Sequence, residues 1–163
     1  MDFMKNYQAI LKDELNFNFQ DYFDIFECKS IDYIAVGVQD TIRKTSTSAM
    51  SNREWQLTYS KEKLFIQDPL RQSVFNTKKQ IIILDQLQSS NSFESMVMET
   101  RKKFGICNGL VLVDRGLGFN VLITIGTGYK SFNPISFFRK NIFEINNMKL
   151  NIYNKLKNNM ILN

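Results

Sequence analysis

The chain has 163 residues, 44% of them apolar and 23% charged, which is enough for one buried core, and it contains no run near the ~20 apolar residues of a membrane helix. It has no histidine, so His-based triads, HExxH zinc sites and the commonest general base at neutral pH are excluded. The net charge of +5 lies wholly in residues 128–163, where Lys130, Arg139, Lys140, Lys149, Lys155 and Lys157 face Glu144 alone, a density that suits a solvated helix face better than a nucleic-acid surface.

In chain order, residues 4–15 and 19–28 carry Phe, Tyr, Ile and Leu at three- and four-residue spacings and predict helices. DYIAVGVQ (32–39) and RKTSTSA (43–49) are β-rich and predict adjacent strands. Ser51 or Asn52 offers an N-cap to a helix that carries Trp55 and Tyr59 and ends near Phe65. Asp68 offers a second N-cap, with Pro69 at the first helical position, where a missing N–H does no harm.

QIIILD (80–85) predicts a buried strand, and Ser92 starts the amphipathic helix SFESMVMETRKKF. Its Glu94 and Glu99 come early and its Arg101, Lys102 and Lys103 late, which matches the helix dipole, and Gly105 is its C-terminal stop. GLVLVD and FNVLITIG are strands joined by the turn RGLG, and one long helix, about 134–158, closes the chain. The pattern predicts an α/β fold over 1–163: an α/β/α sandwich with a five-stranded, antiparallel-rich central sheet and helices on both faces, the architecture of PAS and GAF sensor domains.

Cys28 and Cys107 are too few and too far apart for a disulfide scaffold or a zinc knuckle. With no signal-peptide pattern at the start, they predict reduced thiols in a cytoplasmic protein, and no metal or cofactor is expected. Neither a GxxxxGK[ST] loop nor a GxGxxG fingerprint is present, and RGLGFN (115–120) reads as a turn.

The stretch REWQLTYSKEKLFIQDP (53–69) concentrates the polar chemistry. Trp55 and Tyr59, at i and i+4, share a helix face. A buried indole N–H only donates, an ionised Asp68 only accepts, and Tyr59 does either. A ligand with carbonyls and one amide N–H satisfies all three. Equally, Asp68 caps the next helix while Trp55 fills the core and donates to a backbone carbonyl.

The same stretch resembles the W-x3-Y-x8-DP signature of the LuxR-type autoinducer-binding domain. FGICNGLVLVDRGLGFNVLITIG (104–126) is similar to that family's F-G-x3-G segment with its two strands. The resemblance implies a domain that binds N-acyl homoserine lactones inside an α/β/α fold. By position, Trp55 would donate to the lactone carbonyl, Asp68 would accept from the ligand amide, Tyr59 would line the acyl pocket and Thr124 would hydrogen-bond an acyl carbonyl. Gly109 would match the glycine that opens the strand pair.

Two positions depart from the family: Ser51 stands where a pocket tyrosine is usual, and Ile83 where a tryptophan faces the lactone. Both changes would enlarge the cavity. Family members also continue into a DNA-binding helix-turn-helix domain, for which the residues after the last predicted helix leave no room. The expectation is a ligand-sensing domain, a homodimer or a heterodimer with a related regulator through the 134–158 helix, contacting DNA only if such a domain has been removed. The competing expectation is an interaction protein that pairs with and antagonises an intact regulator without a ligand. An enzyme is the least expected class.

Overall fold

The computed structural model describes residues 17–26, 30–42, 45–116 and 118–158. The predicted helix at 4–15 and Cys28 lie outside them. The elements are α1 (Phe19–Ile25), β1 (Tyr33–Asp40), β2 (Thr45–Met50), α2 (Arg53–Lys61), a 3-10 turn (Leu64–Gln67), α3 (Pro69–Asn76), β3 (Ile81–Ile83), a second 3-10 turn (Leu84–Gln86), α4 (Ser92–Lys103), β4 (Asn108–Arg115), β5 (Phe119–Thr127), α5 (Pro134–Lys140) and α6 (Ile142–Asn158).

The strands form one sheet in the order β2-β1-β5-β4-β3, every neighbouring pair antiparallel. Alternation along the strands divides the core into two layers. Ile34, Val36 and Val38 of β1, with Leu110, Leu112, Ile123 and Ile125, pack against Tyr22 of α1, Phe137 of α5 and the α6 stripe Ile145, Met148, Ile152 and Leu156. Tyr33, Ala35, Val111, Val113 and Leu122 point the other way, onto Trp55 of α2, Leu64, Val74 of α3 and Val97 of α4. Helices therefore cover both faces, as the α/β/α reading requires.

Three elements differ from their predicted extents. The helix carrying Trp55 stops at Lys61, because Lys63 adopts a left-handed conformation (φ 54°, ψ 37°) that turns the chain and brings Leu64 into the core. QIIILD is a three-residue edge strand that runs into a 3-10 turn at Leu84, and of its isoleucines only Ile82 is fully buried.

The closing helix breaks at Asn141. Its backbone N–H and side-chain Nδ2 both donate to the carbonyl of Phe137, and its own carbonyl accepts from Ile145. Such local side-chain bonding competes with helix continuation. The break yields α5 and α6, each with its own apolar side on the sheet.

Candidate functional site

A cavity of about 410 Å³ lies between the sheet and the layer formed by α2, α3 and α4. Its floor is the alternating side of β1, Tyr33, Ala35, Gly37 and Gln39, continued by Leu122 and Thr124 of β5, which pair with Gly37 and Ala35. Small residues at 35 and 37 keep the floor low, which is why space remains under the helices. Met50, Phe65, Leu70, Leu84 and Ile106 supply apolar wall.

Asn52, not Ser51, caps α2: its Oδ1 accepts from the Trp55 N–H at 2.9 Å and its Nδ2 donates to the Phe104 carbonyl. That cap sets the helix phase, and Trp55 is buried with its ring 5.2 Å from Tyr59 and 5.5 Å from Phe104. Asp68 caps α3 by accepting from the Leu70 N–H at 2.9 Å, with Pro69 at the start of the helix.

The capping carboxylate does more than cap. Tyr59 donates its phenol O–H to Asp68 Oδ2 at 2.8 Å, and Arg101 Nη2 lies 2.7 Å from both carboxylate oxygens. Asp68 is 3% exposed and Arg101 7%, so this is a buried ion pair. The guanidinium also sits 5.9 Å from the centre of the Trp55 ring. With its four lone-pair directions taken, Asp68 is a satisfied hub. Where the sequence reading gave Asp68 a ligand N–H to accept from, its oxygens here accept from Tyr59, Arg101 and the Leu70 N–H.

Arg101 is held in place by the end of its helix. The Gly105 N–H bonds the Lys102 carbonyl and the Ile106 N–H bonds the Arg101 carbonyl, a paired closure that needs the left-handed Gly105 (φ 80°). Burial works against the guanidinium charge, but Asp68 beside it outweighs burial and holds its pKa above the usual value. Burial first, and then the Asp68 charge, push the Tyr59 phenol well above its ordinary range, so it remains a proton donor. Tyr33 is raised mainly by burial, while Arg101 and the Trp55 indole, as hydrogen-bond partner, act in the opposite direction.

Of the sequence candidates, Trp55, Tyr59, Asp68 and Thr124 line this cavity together. Ser51 does not: its hydroxyl accepts from the Ile34 N–H at 2.9 Å and ties β1 to the end of β2. Ile83 does not either, because strand alternation turns it to the α1–α6 side, and the neighbouring Leu84 reaches the cavity instead. Gly109 opens β4 with φ 148°, packed against the backbone of β5. Arg101 and Tyr33 are cavity residues that the sequence reading did not select. The signal for Arg101 was its i+4 spacing from Val97, which puts it on the buried face of α4.

No known protein-family profile matches the sequence, and no curated protein matches it. Solved structures do match. The chain is similar to the N-acylhomoserine lactone dependent LuxR-family transcription factor CepR2 from Burkholderia cenocepacia, with a TM-score of 0.58 and 15% identity over 78% of this chain and 88% of that one. The chain has the fold of the LuxR-type autoinducer-binding domain. Escherichia coli SdiA also matches this LuxR-type fold, with a TM-score of 0.60 and 13% identity over 98% of this chain and 68% of that one. SdiA in complex with octanoyl-rac-glycerol gives a TM-score of 0.53 at 12% identity, over 93% and 68% of the two chains. Among the described residues no helix is long and apolar enough to cross a membrane.

Proposed function

We propose that this LuxR-type domain is a small-molecule sensor that takes an amphipathic signal of the acyl-homoserine-lactone kind into the cavity beneath Trp55. The observation that carries the reading is the cavity itself: about 410 Å³, within the range of small-molecule pockets, with an apolar wall of Met50, Phe65, Leu70, Leu84 and Ile106 and a charged end built from Tyr59, Asp68 and Arg101. The similar SdiA structure holding octanoyl-rac-glycerol supports an amphipathic occupant that need not be a lactone. Thr124 and Trp55, which would exchange the bond of its single indole N–H to Tyr33 for one to the ligand, are the proposed hydrogen-bonding partners of ligand carbonyls, and Asp68 acts by positioning Tyr59 and Arg101.

Ligand burial raises stability by RT ln(1 + [L]/Kd), about 2.7 kcal/mol at a hundred-fold excess over Kd. For a domain of this size that is a rise in Tm of roughly 5–10 °C. Melting the purified protein with and without a panel of acyl-homoserine lactones and acyl glycerols tests this. A rise for one member of the panel is expected; no rise with any member sinks the reading.

A second reading, ligand-independent pairing with a related regulator, has its own support: Asp68 needs no ligand to be satisfied, and α6 exposes Phe143 (79%) and Leu150 (61%). In both readings α6 is the proposed pairing helix. Sedimentation velocity of the Phe143→Glu/Leu150→Glu double variant is expected to show a monomer where the parent is paired, and an unchanged sedimentation coefficient rules this surface out. Control of transcription then requires a DNA-binding domain on this chain or on its partner.

A further inference from the structure

Strand register sorts the cavity floor into rows that cross the sheet, because the side chains of paired residues stand on the same face. Next to Tyr33, the hydrogen-bond partner of Trp55, comes the row Met50, Ala35 and Thr124. Ser48, Gly37 and Leu122 follow, and then Ser46, Gln39 and Asn120. This last row is polar throughout, yet it is not on the outside: Gln39 is 2% exposed and Asn120 5%. Gln39 and Ser46 border the cavity, as Ser48 does one row earlier. The floor is therefore polar at both ends and low in the middle.

Asn120 Nδ2 donates to Gln39 Oε1 at 3.3 Å, which engages the oxygen of the Gln39 amide. Among the described residues the Gln39 nitrogen, with two N–H donors, bonds to no protein acceptor. Buried polar groups in folded proteins are nearly always partnered. A ligand tail that ends in a methyl gives this row no partner, whereas one that ends in an oxygen gives the Gln39 amide an acceptor. None of the three side chains ionises, so a neutral terminus fits, and a hydroxyl both accepts from an amide and donates to a serine oxygen. At the rise of a strand, Ala35 and Gln39 stand about 13 Å apart, room for an acyl chain between the two ends. We propose that Gln39, Ser46 and Ser48 form a second recognition site in the cavity, selecting an amphiphile whose acyl chain carries a hydroxyl at the end remote from Trp55. Gly37 and Leu122 carry the methylenes, Gln39 determines the specificity for the terminus, and the inference rests on the sensor reading above.

The test is calorimetric titration of the whole protein with acyl-homoserine lactones and 1-acyl glycerols of eight, ten and twelve carbons, each ending in a methyl or in a hydroxyl. At the chain length that reaches Gln39, the hydroxyl form is expected to bind more tightly than its methyl counterpart by roughly tenfold or more, since a site built to hydrogen-bond a hydroxyl rejects the analogue that lacks it. A plain apolar tail pocket gives the reverse at every length, because the hydroxyl is then buried without a partner. Gln39→Leu is expected to invert the preference. If Gln39→Leu does not fold, the Gln39→Leu/Asn120→Leu double variant, which removes both amides together, carries the same comparison. Methyl forms that bind equally or more tightly at every length in the parent overturn the proposal and leave the sensor reading standing, as does a hydroxyl preference that survives loss of Gln39. Binding of none of the compounds overturns both.

Discussion

Replacing Arg101 by Gln, or Asp68 by Asn, is expected to destabilise the domain by about 3–5 kcal/mol each, and combining the two replacements to cost far less than their sum. The reason is asymmetry. The pair is buried, with side chains 9% and 4% exposed and a contact of 2.7 Å. Removing one partner leaves the other charge buried without its countercharge, whereas removing both leaves a neutral amide pair able to hydrogen-bond. Asp68→Asn strands the guanidinium against Trp55; Arg101→Gln leaves Asp68 with the Tyr59 hydroxyl and the Leu70 N–H but no countercharge. Urea denaturation of the parent, both single variants and the double variant measures the coupling. Losses that simply add would mean the two charges act independently, contrary to the geometry.

The other large effect belongs to Gly109. A Cβ there would stand 2.3 Å from the Ile125 carbonyl oxygen and 2.8 Å from the Gly126 Cα, both backbone atoms in the centre of the sheet. The clash cannot be relieved by rotating a side chain, and φ of 148° is itself a conformation that side chains avoid. Gly109→Ala is expected to lose more than about 4 kcal/mol, or to leave the protein insoluble. Gly105→Ala is the matched control: it is left-handed too (φ 80°), but a Cβ there meets nothing within 4 Å, so only about 1 kcal/mol is at stake. Denaturation midpoints of the two variants compare conformational strain alone with strain plus collision. Equal losses would contradict the close approach of β4 to β5.

The layers of this fold were legible because alternation and helical spacing are strong local signals. Tyr33, Ala35, Gly37 and Gln39 alternate with Ile34, Val36 and Val38, and α6 shows its stripe at Ile145, Met148, Ile152 and Leu156. Trp55, Tyr59 and Asp68 were legible as a group because one helix face and one cap bring them together. Arg101 was not, since it lies 33 residues from Asp68 in a run of three basic residues that the helix dipole already explains. Its buried side is visible only when α4 is phased by Val97.

Ile83 lies outside this cavity because of the period of two along a strand: a one-residue displacement moves a side chain to the opposite face. Leu84, one residue later, is in the cavity wall. The break between α5 and α6 hid for a different reason. Asn141 ends one helix and starts the next through hydrogen bonds that composition does not announce.

The protein carries its own reporter of a small molecule beneath Trp55, since Trp55 is the single tryptophan and lines that space. Titrating acyl-homoserine lactones, acyl glycerols and fatty acids while following its fluorescence, in the parent and in Gly37→Phe, measures occupancy of that space. A Cβ at Gly37 meets Leu122 Cβ at 3.6 Å and the Thr47 carbonyl at 3.9 Å, ordinary contacts, so a side chain is admitted and its ring fills the cavity. A saturable change is expected in the parent for at least one of these amphiphiles, lost in a Gly37→Phe protein that still folds. A parent signal unmoved by every compound, or a change that persists undiminished when the cavity is filled, would contradict binding beneath Trp55.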